Sequence, residues 1–329
     1  MILDWFKWDR GGNYPKIHPT QKPVEVLKQL IRIYTDEYDV VIDPVAGSGS
    51  TLRACAELNR SCYGFEIKRD FVKKAKEEER KSNMQILIIR HAEPDYALDS
   101  LTEKGFREAK LLGGYLHRHY PEIVSFYVSL LGRAKKTFEA SKSNCPNSSV
   151  QFCPWLVEFT GKLRREDKGN KMTSCWDLLP SVVEEEKILY TENWMNAPLL
   201  NEQGATVKEE YQNVIEHFDA VLAEHGYIRD GFHYVAKESN HDVIAFFCHF
   251  GVASVLLSHL MNCSPYSLWQ NSVLLPSSLT EFVSEERRKG VVSFRANKIG
   301  SLAHLEPSGE EESFAARFCE CFEDKTRHD

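Results

Sequence analysis

Several apolar stretches of the chain end next to histidine or arginine, residue types that are able to bind phosphate. MQILIIR ends in Arg90 and is followed by His91, and VIAFFC is followed by His249. A third stretch, FYVSL, leads to Arg133. Short apolar runs of this kind predict buried strands, and parallel sheets bind ligands just beyond the carboxyl ends of their strands. We therefore expect two imidazoles and two guanidinium groups to meet in one pocket suited to a phosphoryl group.

The side-chain types in this predicted pocket define a chemistry. A neutral imidazole is a good nucleophile near pH 7 and can form a phosphohistidine intermediate. Guanidinium groups clamp the non-bridging phosphoryl oxygens and neutralise charge in the transition state. A carboxylic acid must then protonate the leaving oxygen. Because this chemistry requires no metal ion, we expect neither a metal nor a cofactor in this part of the chain.

A second candidate site lies nearer the N-terminus. The stretch DPVAGSGST begins at Asp43, follows a predicted strand and opens a predicted helix. Its Gly47 and Gly49 let the backbone approach a ligand closely. Glu66 ends the next predicted strand, where an acid can bind ribose hydroxyls. Asp43, Gly47, Gly49 and Glu66 are therefore candidate cofactor-binding residues.

The elements that must position these residues fall into two pieces. The first begins with a helix after Pro23, whose apolar face is predicted to hold Val24, Leu27, Ile31 and Tyr34. A strand, the Gly-rich turn, a helix and a second strand follow, which is half of a doubly wound, Rossmann-like fold. The second piece also alternates strands and helices, which predicts a three-layer α/β/α domain with a mostly parallel sheet.

One long helix of the second piece carries clear end signals. Thr206 and Glu209 have the spacing of a capping box, and Gly226 lies just beyond the expected end. The predicted buried face holds Val207, Tyr211, Val214, Phe218 and Val221. A charged helical tail at 71–83 precedes the first strand of this piece, so we place the domain boundary between residues 83 and 84.

Composition narrows the class of protein. The 41 basic and 48 acidic residues give a net charge of −7, which argues against a chain that coats nucleic acid along its whole length. Nine cysteines, an odd number, indicate free thiols in a reducing compartment. No apolar run is long enough to cross a bilayer, and MILDWFKWDR lacks the features of a secretory signal. We therefore expect a cytoplasmic protein with no membrane partner.

Four motifs of the second piece resemble those of the histidine phosphatase superfamily, which has the phosphoglycerate-mutase-like fold. They are LIIRHAEPDY, LTEKGFREA, SLLGRAKKTFEA and CHFGVAS, and the resemblance covers about residues 84–305. It implies that His91 accepts the phosphoryl group and that Arg90, Arg133 and His249 bind it. It also implies that Glu158 donates the proton and that the substrate is a small phosphorylated molecule.

Some residues depart from the family pattern. Ala92 follows the nucleophile where the family has glycine, and the motif after the second histidine strand reads His-Phe-Gly instead of His-Gly-Gly. Glu166 and Asp167 lie close enough to Glu158 in sequence to replace it as the acid. An insertion at 160–200, rich in basic residues, is either a cap over the pocket or a solvated loop. Ser129 has two interpretations, a neighbour of the phosphate or, as we favour, a residue that only shapes the turn.

The N-terminal motifs HPTQKP and DPVAGSGST resemble the cofactor-binding end of DNA amino-methyltransferases, over about residues 14–76. Those enzymes modify exocyclic nitrogens of adenine or cytosine with S-adenosylmethionine. They also need a Pro-Pro-aromatic loop that holds the target nitrogen, and this chain has none. The resemblance therefore implies a methyltransferase fragment at 1–83 that either binds S-adenosylmethionine, with DNA or a complementary methyltransferase chain as its partner, or is a relic.

Three functions follow from these observations. The leading hypothesis is hydrolysis of phosphomonoesters through phosphohistidine, carried out by residues 84–329. The second is a DNA methyltransferase component that contributes only the cofactor-binding part. The third is a non-catalytic module that binds phosphate. Phosphatases and mutases of the family share the same phosphate-binding groups, so these motifs do not separate the two reactions.

Overall fold

The computed structural model describes residues 22–36, 39–58, 60–68, 70, 83–142, 148–237, 240–316, 318 and 323. The chain forms two compact units, one of Met1–Asn83 with Arg287–Lys289 and the other of Met84–Glu286 with Gly290–Asp329. Most of the HPTQKP motif and most of the predicted charged tail, at 18–21 and 71–82, lie outside the described residues.

The first unit is a small β–turn–α–β arrangement. Its elements are α1 (Val24–Tyr34), β1 (Val40–Asp43), α2 (Ser50–Ala56) and β2 (Ser61–Gly64). Strands β1 and β2 are parallel, as the predicted half of a doubly wound fold requires. The predicted helix face is buried at Val24, Leu27 and Ile31, but the prediction for Tyr34 is wrong, because 61% of this residue is exposed. Tyr34 is the last helical residue, beyond the stretch of α1 that packs on α2.

The second unit is built on an eight-stranded sheet, counted within the described ranges, with the strand order β10-β11-β14-β13-β3-β12-β6-β7. The strands of the unit are β3 (Gln85–Arg90), β4 (Pro94–Asp95), β5 (Ser100–Leu101), β6 (Ile123–Ser129), β7 (Ser149–Cys153), β8 (Lys162–Arg165), β9 (Lys171–Ser174), β10 (Tyr227–Asp230), β11 (His233–Ala236), β12 (Val243–Cys248), β13 (Leu279–Arg288) and β14 (Val291–Ser301). Two short two-stranded sheets, β4-β5 and β8-β9, lie outside the main one.

The prediction of a mostly parallel sheet is wrong. Strands β3, β12, β6 and β7 are parallel to their neighbours in that group, whereas β13 is antiparallel to β3, and β11 is antiparallel to both β10 and β14. A tight turn at Gly231 joins β10 to β11. Strands joined by so short a connection are necessarily antiparallel, because a parallel crossover needs a dozen or more residues.

Helices cover both faces of this sheet, which confirms the predicted three-layer α/β/α fold. The helices are α3 (Glu103–His119), α4 (Gly132–Ser141), α5 (Pro180–Glu185), α6 (Val207–Glu224), α7 (Phe250–Met261) and α8 (Pro265–Trp269). Alternate residues of β3 belong to different cores. Ile86 and Ile88 pack in a core with α6, α7 and α8, whereas Leu87 and Ile89 pack in a core with α3 and α4.

The ends of α6 depart in one respect from the prediction. The five predicted face residues are buried and Gly226 has a φ of +88° beyond the helix end. Thr206 does precede the helix, but its side chain accepts no hydrogen bond from the first turn. Its hydroxyl oxygen accepts instead from the backbone N–H of Lys162, at 3.1 Å, so the predicted capping box with Glu209 does not form.

Two general features concern the described residues as a set. None of the helices found there combines the length and the apolar character needed to cross a lipid bilayer. The six cysteines within the same ranges form no disulfide.

Candidate functional site

The two predicted pocket histidines lie side by side because of strand register. Strand β12 runs parallel to β3, and Cys248 is the partner of Arg90 in that ladder. The next residues, His91 and His249, therefore leave the sheet at the same edge. Their ring centroids are 5.0 Å apart, and both residues are almost completely buried.

His91 is held in one tautomer by a backbone contact. Its Nδ1 lies 2.8 Å from the carbonyl oxygen of Ala92, which can only accept a hydrogen bond, so Nδ1 carries the proton. Burial and the charge of Arg90 lower the pKa of His91 well below its ordinary value of 6.5. The ring is therefore neutral near pH 7 and its Nε2 carries a lone pair.

The second histidine is fixed by Ser129, the last residue of β6. The Ser129 hydroxyl lies 2.8 Å from Nε2 of His249, and both residues are fully buried. Burial, followed by the nearby His91 and Arg133, lowers the pKa of His249 well below 6.5. Nδ1 of His249 is buried and has no hydrogen-bond partner among the described residues.

Two arginines supply the positive charge of the site. Arg90 donates from Nη1 to the carbonyl of Leu274, at 2.5 Å. Arg133, in the first turn of α4, donates from Nη1 to Asp99, at 2.9 Å, and lies over the ring of Tyr96. The Nε atoms of both arginines are buried and have no partner in the part of the chain that the structure describes.

The predicted acid lies at the start of α7. Oε1 of Glu158 accepts hydrogen bonds from the backbone N–H groups of Phe159, Gly251 and Val252, at 2.8, 2.8 and 3.3 Å. Burial raises the pKa of this carboxyl above its ordinary value of 4.5, although the hydrogen bonds and the two arginines oppose the shift. Glu158 is thus held beside His249, the residue that precedes α7.

The two alternative acids do not share this position. Asp167 forms a bidentate ion pair with Arg165, at 3.0 and 2.6 Å, and this pair lowers the pKa of its carboxyl. Glu166 is exposed in the same turn. The structure therefore brings Arg90, His91, Arg133, Glu158 and His249 together, and it leaves Glu166 and Asp167 outside that group.

Several neighbours of the site were not predicted. Asp99 accepts a hydrogen bond from the N–H of Gly132 at 2.6 Å and binds Arg133. The hydroxyl of Thr137, a residue of α4, accepts from the N–H of Ala92 and donates to the carbonyl of Arg133. No sequence signal marks these two residues. Ser129 does carry one, because it is a polar residue at the end of an apolar strand, as Arg90 is; its contact with His249 shows that it does more than shape the turn, which was the favoured interpretation.

The predicted cofactor residues of the first unit also share one edge of their sheet. Gly47 donates its N–H to Oε2 of Glu66 at 3.0 Å, and Oδ1 of Asp43 accepts from Val45 at 3.0 Å. Gly47 and Gly49 have φ values of +51° and +75°. The turn thus needs glycine at both positions. The ribose-binding candidate Glu66 lies against the backbone of this turn.

Family models match both parts of the sequence. Residues 2–77 match the DNA methylase model, and residues 86–297 match the model of the histidine phosphatase superfamily, branch 1. The resemblances inferred from the motifs are confirmed for both segments.

Curated type II methyltransferases are similar to the N-terminal segment. M.HpaI of Haemophilus parainfluenzae is 42% identical over 62 residues, which are 19% of this chain and 20% of that protein. M.HindIII of Haemophilus influenzae is 51% identical over 49 residues, which are 15% of this chain and 16% of that protein. The chain therefore spans about a fifth or less of the length of these methyltransferases.

Solved structures resemble the larger part of the chain. A mutant phosphoserine phosphatase of Entamoeba histolytica, in complex with phosphoserine, is 14% identical with a TM-score of 0.43, and the match covers 68% of this chain and 99% of that one. YhfR of Bacillus stearothermophilus is 17% identical with a TM-score of 0.43 and the same coverage. The family model itself covers 86–297, well over half of the 329 residues, and the chain therefore belongs to the histidine phosphatase superfamily, branch 1.

Proposed function

We propose that residues 84–329 hydrolyse phosphomonoesters through a phosphohistidine formed on His91. The observation that carries this proposal is a set of buried nitrogen atoms without partners. Seven buried polar side-chain atoms of the described residues have no hydrogen-bond partner, and three of them are Nε of Arg90, Nε of Arg133 and Nδ1 of His249. Buried polar groups are nearly always paired, so a cluster of this kind supports a ligand rich in acceptor oxygens. A phosphoryl group is such a ligand.

The first chemical step uses the lone pair of His91. Nε2 attacks phosphorus, a P–N bond forms, and the P–O bond to the leaving group breaks. The ring then carries a positive charge, and the hydrogen bond from Nδ1 to Ala92 stabilises it. The charges of Arg90 and Arg133 offset the negative charge on the non-bridging oxygens, which is where the transition state is most negative.

Glu158 completes this step as general acid. Its raised pKa keeps a larger fraction of the carboxyl protonated than in an exposed glutamate. The proton passes from Glu158 to the leaving oxygen, so the leaving group departs as an alcohol. In the second step Glu158, now a carboxylate, takes a proton from water. The water oxygen attacks phosphorus, the P–N bond breaks, and its electron pair returns to Nε2 of His91.

The test is hydrolysis of an aryl phosphate by the full chain. His91→Ala should lower kcat by at least about 10³-fold, because no other group replaces the nucleophile. His233→Ala is the matched control, since His233 is a partly exposed histidine of β11 with only a weak ion pair to Asp230 at 3.8 Å. The wild-type chain should also retain labelled phosphate after quenching, in a form that is stable to base and released by acid.

The outcomes separate the hypotheses. Turnover that persists in His91→Ala would overturn the phosphohistidine mechanism. Saturable phosphate binding without turnover would instead support the non-catalytic module. The substrate proposed is a small phosphorylated molecule, and a panel of phosphorylated metabolites that tests both hydrolysis and phosphoryl transfer would separate a phosphatase from a mutase.

A second function is proposed for the first unit, namely the binding of S-adenosylmethionine. The contact between Gly47 and Glu66 supports it, because it places an acid able to bind ribose hydroxyls at the Gly-rich turn.

We also propose that a complementary methyltransferase chain or DNA lies against this unit. One face of its two-stranded sheet packs on the helices, whereas Ile42, Tyr63 and Phe65 are more than half exposed. Doubly wound sheets carry helices on both faces.

Calorimetry with S-adenosylmethionine tests this second function. Saturable heat that is lost in Glu66→Ala and retained in Glu57→Ala, an acid of the same unit held in exposed ion pairs, would support the proposal. An absence of heat from the full chain would overturn cofactor binding by the isolated chain. A mobility shift of duplex DNA, measured with and without the cofactor, tests the DNA partner.

A further inference from the structure

A second cavity lies in the phosphatase unit at the far end of α7 from the candidate active site. Its volume is about 140 Å³, and residues of the segment after α5, of α6, of the β10–β11 hairpin and of the end of α7 line it. Ser258 lines it near the end of α7, whereas His249 precedes the helix. At 1.5 Å per residue, these two positions are about 13 Å apart along the helix axis. The cavity is therefore separate from the phosphate pocket.

Arg229 is the cationic group of this cavity, and two of its three guanidinium nitrogens already donate hydrogen bonds. Nε donates to the carbonyl of Gly231 at 2.7 Å, Nη2 donates to Asn262, and the group stacks on the ring of Tyr234 at 4.9 Å. Nη1 is buried and has no hydrogen-bond partner among the residues described. The two N–H donors of this nitrogen are thus left for an acceptor that enters the cavity.

The other charges nearby favour a monoanion over a dianion. Glu192 lines the cavity, and Asp219 lies just behind it, where it binds His259 at 2.9 Å and Tyr234 at 2.8 Å. Two carboxylates facing a single arginine oppose the entry of a doubly charged phosphate. A carboxylate carries one charge and needs fewer donors than a phosphate, so it matches the one unpartnered nitrogen of Arg229, Nη1.

Besides polar side chains such as Ser258 and Asn262, the lining contains a group of aromatic residues. Trp194 is almost fully buried and packs edge-on against Tyr211 at 4.9 Å, and Phe232 lies at the exposed side. A volume of about 140 Å³ suits a ligand of about six heavy atoms, since an apolar cavity of about 150 Å³ binds benzene. We propose that this cavity binds a short-chain aliphatic monocarboxylate, with its carboxylate on Nη1 of Arg229 and its chain against Trp194 and Phe232.

Calorimetry of the full chain with sodium butyrate tests the proposal. Butyrate should bind saturably, and butyramide, which has the same shape without the charge, should bind about tenfold or more weakly. Arg229→Gln should weaken butyrate binding to the same extent. The control Arg118→Gln, which replaces an exposed arginine of α3, should leave it unchanged. The proposal is overturned by equal binding of butyrate and butyramide, by butyrate affinity that survives in Arg229→Gln, or by no binding to the wild-type chain.

A second measurement uses the unaltered protein, in case Arg229→Gln does not fold. Cys263 lines the cavity, and burial raises the pKa of its thiol, so alkylation should be followed at alkaline pH. Butyrate should slow the alkylation of Cys263 about tenfold when it occupies most of the sites. Cys62, in the other unit, is the internal reference and should react at its original rate. Equal rates with and without butyrate, or protection by inorganic phosphate in its place, would overturn the proposal.

Discussion

Replacing Gly251 by alanine tests how Glu158 is positioned. A Cβ at Gly251 would lie 2.6 Å from Oε1 of Glu158, 3.1 Å from Cβ of Phe159 and 3.2 Å from Nε1 of Trp176. The carboxylate is the flexible end of its side chain, so it is the group that moves. To reach an ordinary contact of 3.4 Å it must retreat by about 0.8 Å, which weakens its hydrogen bonds to α7.

The size of the effect follows from that displacement. A misplacement of about 1 Å at a reacting group costs roughly 10²-fold in rate, which is about 2.7 kcal/mol of activation free energy. General acid catalysis as a whole contributes roughly 10²–10⁴-fold, so a displaced acid loses much of its contribution. Folding should also be weakened by about 1–3 kcal/mol, because the buried carboxylate loses hydrogen bonds and the Cβ of Phe159 cannot rotate away from the new methyl group.

The assay compares two aryl phosphates that differ in their leaving groups. Phenyl phosphate needs a proton on its leaving oxygen, whereas 4-nitrophenyl phosphate releases a more acidic phenol and needs the acid less. In Gly251→Ala, kcat should fall by roughly 10²-fold for phenyl phosphate and by a smaller factor for 4-nitrophenyl phosphate. Gly114→Ala is the control, because its Cβ would meet only the end of the Arg118 side chain, at 3.4 Å.

Two results would refute this reasoning. If both substrates slow by the same factor, the methyl group acts on phosphate binding or on the nucleophile and not on Glu158. If Gly251→Ala and Gly114→Ala have the same kcat for phenyl phosphate, the contact at 2.6 Å does not position the acid. The thermal unfolding midpoints of both variants should be measured beside the kinetics, so that a loss of folded protein is not mistaken for a loss of rate.

Three further predictions concern stability. Because burial lowers the pKa values of His91 and His249 below 6.5, the unfolded chain takes up protons there that the folded chain does not. The contribution of these two histidines to the free energy of unfolding should therefore be constant above about pH 7 and fall below pH 6.5 by up to about 1.4 kcal/mol per pH unit for each histidine. Urea denaturation between about pH 7 and pH 5 would show the fall, and a flat profile over that range would contradict it. Gly113→Ala should destabilise the fold by about 1–3 kcal/mol, because its Cβ would lie 2.7 Å from a backbone carbonyl of α4. Gly114→Ala, one residue later in the same helix, should instead stabilise the fold by about 0.5–1 kcal/mol. Equal thermal unfolding midpoints of the two variants would contradict the close approach of α3 and α4. Ser129→Ala should destabilise by about 1–3 kcal/mol, because it removes the partner of a buried imidazole nitrogen, and a midpoint equal to that of the wild type would show that this hydrogen bond contributes nothing.

The sequence was sufficient to predict which side chains lie together when the ends of neighbouring strands determine the positions of those side chains. Arg90, His91 and His249 end apolar runs, and the parallel register of β3 and β12 brings such ends together whatever the loops do. The prediction for α6 worked for a similar reason, since its buried face follows from helical periodicity. Local pattern and global fold agree at these positions.

The errors occur where a tertiary contact overrides a local pattern. Thr206 has capping-box spacing, but a neighbouring strand offers the N–H of Lys162 to its hydroxyl. Tyr34 continues the apolar period of α1, yet it lies beyond the surface that α2 covers. Asp99 reaches Arg133 across 34 residues of sequence from a turn with a φ of +45°, and no spacing rule encodes that contact. The antiparallel half of the sheet depends on hairpin turns that the alternation of strands and helices did not reveal.

The two units have separate hydrophobic cores, and this bears on how their functions are assigned. Among the described residues, the core of the first unit is built from residues 24–62, whereas the two large cores of the second contain residues from Met84 onward. Every side chain of the candidate phosphate pocket, from Arg90 to His249, is positioned by elements of the second unit. The proposed phosphoryl chemistry therefore rests on residues of the second unit. The two proposed functions, binding of S-adenosylmethionine and hydrolysis of a phosphate ester, accordingly need separate tests on the same chain.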